Sequence, residues 1–175
     1  MNGAGQVKRA SLILGCALPM IAGGCEARQR MLDMPIQDQS GLPCFGVADT
    51  REARRHPIKL GAMVVSELDA SENVIREVWS LAGRLPPVML DPEQCLPYGA
   101  RPKGAETLVE AEPVQPGTRY SAFINAYIQD GPNWSNRSYL GAFCLTEGPE
   151  GRQVHEIPSG PVADQARWAA CQLSP

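Results

Sequence analysis

"VQPGTRYSAFINAYIQ", residues 114–129, carries the clearest structural signal in the chain. Tyr120, Ala122, Ile124, Ala126 and Ile128 recur at every second position, with Ser121, Asn125 and Tyr127 among the residues between them. Strict alternation over this length is the mark of a half-buried β-strand. Pro116-Gly117 supplies a turn at its entrance. The fold class follows from whether the flanking residues repeat this pattern.

They do, in short pieces. Sixteen prolines and 17 glycines cut the 175 residues into brief segments, the punctuation of an all-β domain with many turns. After the central strand, "DGPNWSN" reads as a connecting tip and "RSYLGAFCLTE" (137–147) as the hairpin partner. "RQVHEIP" (152–158) follows as another strand. Upstream, "LPCFGVA" (42–48) is the expected first strand, and "PIKLGAMVVSE" (57–67) places Ile58, Leu60, Ala62 and Val64 on one face. "NVIREVWSLAG" fits helical spacing through Val74, Ile75, Val78, Trp79 and Ala82, yet its neighbours favour a strand. "GPVADQARWAACQL" is expected to form a short C-terminal helix through Val162, Ala166, Ala169 and Leu173. The spacing Val114-x-Pro116-Gly117-Thr118-x-Tyr120 resembles the tyrosine corner of immunoglobulin-like and fibronectin type III-like β-sandwiches. In that corner the tyrosine hydroxyl bonds to backbone a few residues upstream.

The N-terminus has a different character. Lys8 and Arg9 precede "ASLILGCALPMIA", an apolar run too short to span a bilayer, and Ala22-Gly23-Gly24 stands directly before Cys25. A basic start, a short apolar core and small residues at the exit form a signal peptide over residues 1–24. Small residues before a cysteine resemble a bacterial lipobox, which implies that Cys25 is diacylated and becomes the mature N-terminus. N-acylation, commonly with palmitate, would complete an anchor of more than one chain, which holds a protein firmly to a membrane. Glu26, in place of Asp, favours the outer membrane, with the domain facing the periplasm. Residues 25–40, mostly polar, are expected to act as a lipid-anchored flexible tether with a reach of roughly 20 Å. Residues 41–175 then suit a single domain.

Removing residues 1–24 takes away Lys8 and Arg9 and no acid, so 14 basic residues face 19 acidic ones and the mature net charge is −5. That balance argues against a nucleic-acid binder. Cys44, Cys95, Cys144 and Cys171 remain, an even number at wide spacings. In an exported chain they read as two disulfides, and none of the spacings resembles a zinc site. Three pairings are open. The strand-like settings of Cys44 and Cys144 favour joining those two, leaving Cys95 to hold the tail at Cys171.

The usual chemistry-bearing patterns are missing from the sequence. His56 lies in the basic run "REARRHP" and His155 beside Glu156, outside any HExxH pattern, and no GxSxG elbow occurs. No catalytic residue, metal ligand or cofactor is assigned, and the expectation is a non-enzymatic protein. Trp134, flanked by Asp130 and Asn133, stands out at the expected loop tip, where an aromatic anchor on a rigid sheet suits partner binding. The alternative is that its ring folds back to cover the end of the sandwich.

Together, Cys25, Cys44-Phe45, the Trp79 strand, "CLPYG" (95–99), "PGTRYSAFI" and "YLGAFCL" (139–145) resemble the periplasmic immunity lipoproteins associated with type VI secretion. The resemblance implies an immunoglobulin-like β-sandwich that binds and neutralises a toxic effector arriving in the periplasm. A structural or accessory envelope lipoprotein, docking onto a cell-wall or secretion complex, is the competing expectation.

Overall fold

The central strand is β9, Arg119–Asp130, and its inner face matches the alternation in its sequence. Tyr120, Ala122, Ile124, Ala126 and Ile128 are all buried at the centre of the core. The computed structural model describes residues 31–159 and 168–171. Around β9 stand β1 (Met31–Asp33), β2 (Ile36–Gln39), β3 (Leu42–Phe45), β4 (Ile58–Leu68), β5 (Val74–Gly83) and β6 (Met89–Leu90). The remainder are β7 (Leu96–Pro97), β8 (Ala105–Val109), β10 (Asn133–Gly148), β11 (Gly151–Ile157) and a 3-10 turn at Ala169–Cys171. The fold is all-β with two sheets. The larger has the order β1-β10-β9-β4-β5-β8, with β11 also on β10 and β6 also on β4; the smaller is β2-β3-β7.

Aromatic rings lock the two sheets together. Phe45 of the small sheet meets Phe143 edge-on at 5.7 Å between centroids, and Phe143 stacks on Tyr120 at 5.1 Å. Trp79 joins them through Phe45, and Tyr98 packs edge-on against Trp79. Such pairs add about 0.5–1.5 kcal/mol each beyond the apolar area they bury. At the entrance to β9 the Gln115 N–H donates to the Tyr120 hydroxyl oxygen at 2.9 Å, the bond expected from the Val114-to-Tyr120 spacing.

Two irregularities shift which residues face the core. In β4 the pairing with β9 skips Gly61, since Leu60 lies opposite Ala126 and Ala62 opposite Asn125. Ile58 and Leu60 point inward as expected, but beyond the bulge Met63 and Val65 take over, and Ala62 and Val64 turn outward. The expected single face is therefore corrected at Gly61. A Cβ there would lie 2.7 Å from the Tyr127 ring, so the glycine makes room for that ring. In β5, a strand as favoured, Val65 pairs with Trp79 and Ser66 with Glu77, which leaves Val78 extra. The bulge buries Val78 and Trp79 side by side and leaves Val74 to Glu77 exposed.

The N-terminal boundary also moves. Residues 31–40 do not form part of a flexible tether: β1 and β2 lie within them, and Met34 and Ile36 are buried in the main core. Leu32, Met34 and Ile36 alternate with Asp33 and Pro35, a strand pattern three apolar residues long and hence easily taken for linker. Leu42–Phe45 is accordingly the third strand. Residues 1–30, including the signal region and Cys25, lie outside the described residues, as does most of the expected C-terminal helix. Of that helix, Ala169–Cys171 is a 3-10 turn.

Candidate functional site

The disulfides define the outer surfaces of the molecule. Cys44 bonds Cys95 and Cys144 bonds Cys171, which corrects the expected pairing of Cys44 with Cys144 and Cys95 with Cys171. The reason lies in the pleat. Phe45 and Phe143 face each other across the core, so the residues adjacent to them in their strands, Cys44 before Phe45 and Cys144 after Phe143, point away from each other on opposite outer faces. Cys44 lies opposite Pro97 in the small sheet, close to Cys95. Cys144 sits in a second apolar cluster on the outer face of the large sheet with Leu68, Ala142, Ile157, Trp168 and Cys171. Trp168 is fixed there: its indole N–H donates to Glu72 at 2.8 Å, and the Arg119 guanidinium lies 5.1 Å from its ring centre.

Trp134 does not occupy a loop tip. The β9–β10 turn is only Gly131-Pro132, because Asp130 already pairs with Asn133, and Trp134 is a strand residue opposite Gln129. Gly131 supplies the left-handed conformation the tight turn needs, with φ of +57°. Trp134 shares the outer face with Tyr127 and Lys59, since Lys59 pairs with Tyr127 across β4 and β9. The Lys59 ammonium sits 4.0 Å from the Trp134 ring centre and 5.5 Å from that of Tyr127, a cation held between two rings. Leu60, Gly61, Gly83, Arg84, Leu85 and Pro87 complete a groove of about 570 Å³ beside them. Leu85 is 90% exposed, and Met89 at the same end is 50% exposed. Arg84 is tied to Glu106. Asp130 and Asn133 close the hairpin beyond the rings.

The opposite end of the large sheet carries a second open surface. Val74, Arg76 and Glu77 pair with β4 along one edge, with Ile75 bulged between them, whereas β8 pairs only with Ser80 to Gly83. Among the described residues no strand lies against the free edge of Val74–Glu77. Val74 and Ile75 are 62% and 56% exposed. Arg76 is shared between Glu67 and Glu112, which hold its guanidinium proton more tightly than usual, the Glu112 hydrogen bond being the main cause. Asp69 accepts hydrogen bonds from Asn73 and Ser71, and these, chiefly the Asn73 side chain, pull its carboxyl below the ordinary range. Glu77 and Glu110 add further carboxylates, the latter paired with Arg101.

His56 lies exposed on the loop before β4, and His155 lies on β11. His155 Nε2 lies 2.7 Å from the Thr146 hydroxyl, and among the described residues no group of three His, Cys, Asp or Glu side chains could hold a metal ion. Glu156 instead accepts from the Ile36 N–H, tying β11 to the small sheet. The sequence singled out Trp134 but missed Lys59, Tyr127, Leu85, Val74 and Ile75. Their grouping depends on strand register and on two bulges, which no local pattern announces.

No family model, curated protein or solved structure matches this chain.

Proposed function

We propose that this protein is a lipid-anchored, non-enzymatic binding protein of the bacterial envelope. In this reading it faces the periplasm and neutralises a secreted protein toxin, as the resemblance to type VI immunity lipoproteins implies. The observation that carries the reading is the edge at Val74–Glu77, which no strand among the described residues covers. An unpaired strand offers backbone N–H and C=O groups to a partner strand, and natural proteins rarely leave such an edge bare without a use for it. Val74 and Ile75 give it apolar contact, and the carboxylates of Glu67, Asp69, Glu77, Glu110 and Glu112 around it outnumber the cations Arg76, Arg101 and Arg119. Such a surface suits a basic partner, whose approach the carboxylates would accelerate. The two disulfides support an oxidising compartment. The tyrosine-corner bond at Tyr120 supports kinship with immunoglobulin-like sandwiches.

Deleting the gene is expected to sensitise cells to attack by kin that carry an effector encoded beside it. Unchanged survival would sink the immunity reading. Co-purification with an envelope assembly, together with a defect in unattacked cells, would favour the accessory role instead.

A further inference from the structure

We propose that the Trp134 end of the large sheet is a membrane-facing surface that rests on the phospholipid interface of the bilayer holding Cys25. The inference builds on Cys25 being acylated and adds to it a defined orientation.

The geometry of the N-terminus sets the constraint. Five residues, 26–30, separate Cys25 from Met31, a link of six Cα steps that spans at most about 20 Å even when fully extended. Met31 lies opposite Ser138, and β1 runs parallel to β10. The chain therefore enters the sheet from the side of the β9–β10 hairpin. Trp134 stands four residues before Ser138 on β10, about 13 Å nearer that end. A lipid at Cys25 thus keeps the hairpin end, and not the Val74–Glu77 edge, closest to the membrane.

The chemistry of that end fits a bilayer interface. Trp and Tyr favour the headgroup level, where the ring is apolar and its polar atom stays wet, and Lys and Arg beside them meet lipid phosphates. Trp134 and Tyr127 provide the rings, Leu85 and Met89 the apolar contact, and Lys59 the cation between the rings. Arg51, Arg55 and His56, on the loop before β4, are exposed on the same side, since Pro57 accepts from Gln129 of the hairpin. The carboxylates at this end are Asp130 and the Asp91–Glu93 pair across a cleft from Arg55, with Asp49, Glu52 and Glu106 each paired to an arginine. A protein partner would compete with the bilayer for these groups, but the short link favours the surface already within reach.

The test uses the mature full-length chain purified from membranes and reconstituted into vesicles of phosphatidylethanolamine and phosphatidylglycerol, with and without brominated acyl chains. Trp79 and Trp168 are each 1% exposed, so lipid bromine reaches only Trp134. The expected result is a loss of roughly one third of the tryptophan emission, the share of one indole in three. Trp134→Phe should abolish that loss, and Leu85→Glu, at a residue whose side chain touches little, should diminish it without affecting folding. Mass spectrometry of Cys25 and flotation of the vesicles separate the possible failures. An acylated, floating protein whose emission bromine leaves unchanged overturns the orientation while the anchor stands. An unacylated protein that does not float overturns both. Quenching by aqueous iodide alone, with a periplasmic protein cross-linked beside Trp134, would assign this surface to a protein partner and overturn the proposal.

Discussion

The two ends of the large sheet share one core and differ in everything outside it. At the β9–β10 hairpin, aromatic rings and exposed aliphatics surround Lys59. At the β4–β5 end, Val74 and Ile75 lie among carboxylates on a strand edge that no other strand among the described residues covers. The inner face of β9 runs unbroken between them, from Tyr120 to Ile128. A continuous interior with contrasting ends suggests a rigid spacer that presents one surface to each side. Stability should therefore belong to the molecule as a whole, and surface chemistry to each end alone.

The contrast breaks most visibly if the core does not couple the ends. Phe143→Ala removes the ring that contacts both Phe45 and Tyr120 and should cost about 3–5 kcal/mol, unfolding both ends in one transition. Trp134→Ala should cost less than about 1 kcal/mol, because its ring lies outside the core. Denaturant melts followed by near-ultraviolet and backbone signals would compare them.

The disulfides come next. Replacing Cys44 and Cys95 by Ala opens a 51-residue loop and should cost about 4 kcal/mol; the Cys144–Cys171 pair, closing 27 residues, should cost about 3.5 kcal/mol. Loss of the second pair should also loosen Trp168 from Glu72, visible in tryptophan emission, whereas loss of the first should leave that signal in place.

A smaller effect is expected at the tyrosine corner. Tyr120→Phe leaves the Gln115 N–H without its acceptor and should cost about 1 kcal/mol, measurable as a shift in denaturant midpoint with unchanged slope.

The pH dependence is sharpest at Tyr98. Its hydroxyl donates to the carbonyls of Glu112 and Val78, and burial raises its pKa well above the ordinary phenol value. Because the folded pKa is raised, the protonated form is favoured in the native state. The unfolded chain then ionises first, and stability, complete below about pH 10, falls as pH rises beyond it. Tyr98→Phe should flatten that fall, read from alkaline melts.

Legibility in the sequence followed the regularity of the backbone. β9 was readable residue by residue because five inward positions alternate without a bulge. β4 was readable only to Leu60, since the bulge at Gly61 reverses the faces and a glycine alone does not announce one. The buried Met34 and Ile36 were lost among polar neighbours in a segment too brief for periodicity to stand out. The cysteine pairing depended on the pleat, which sends Cys44 and Cys144 to opposite outer faces once Phe45 and Phe143 meet inside. Trp134 was noticed for its neighbours but misplaced by the length of its turn. The surfaces at the two ends were illegible because both join residues distant in sequence.

Hydroxyl-radical footprinting of the acylated, vesicle-bound protein tests the orientation of these ends most directly. Met89 and Trp134 should be spared, although they are 50% and 39% exposed in the isolated chain, while Val74 and Ile75 are labelled in proportion to their exposure. Adding the toxin that the proposed function calls for should then protect Val74 and Ile75 without changing the hairpin end. Labelling of Met89 and Trp134 in proportion to their exposure, with Val74 and Ile75 spared on the vesicle alone, would contradict the account.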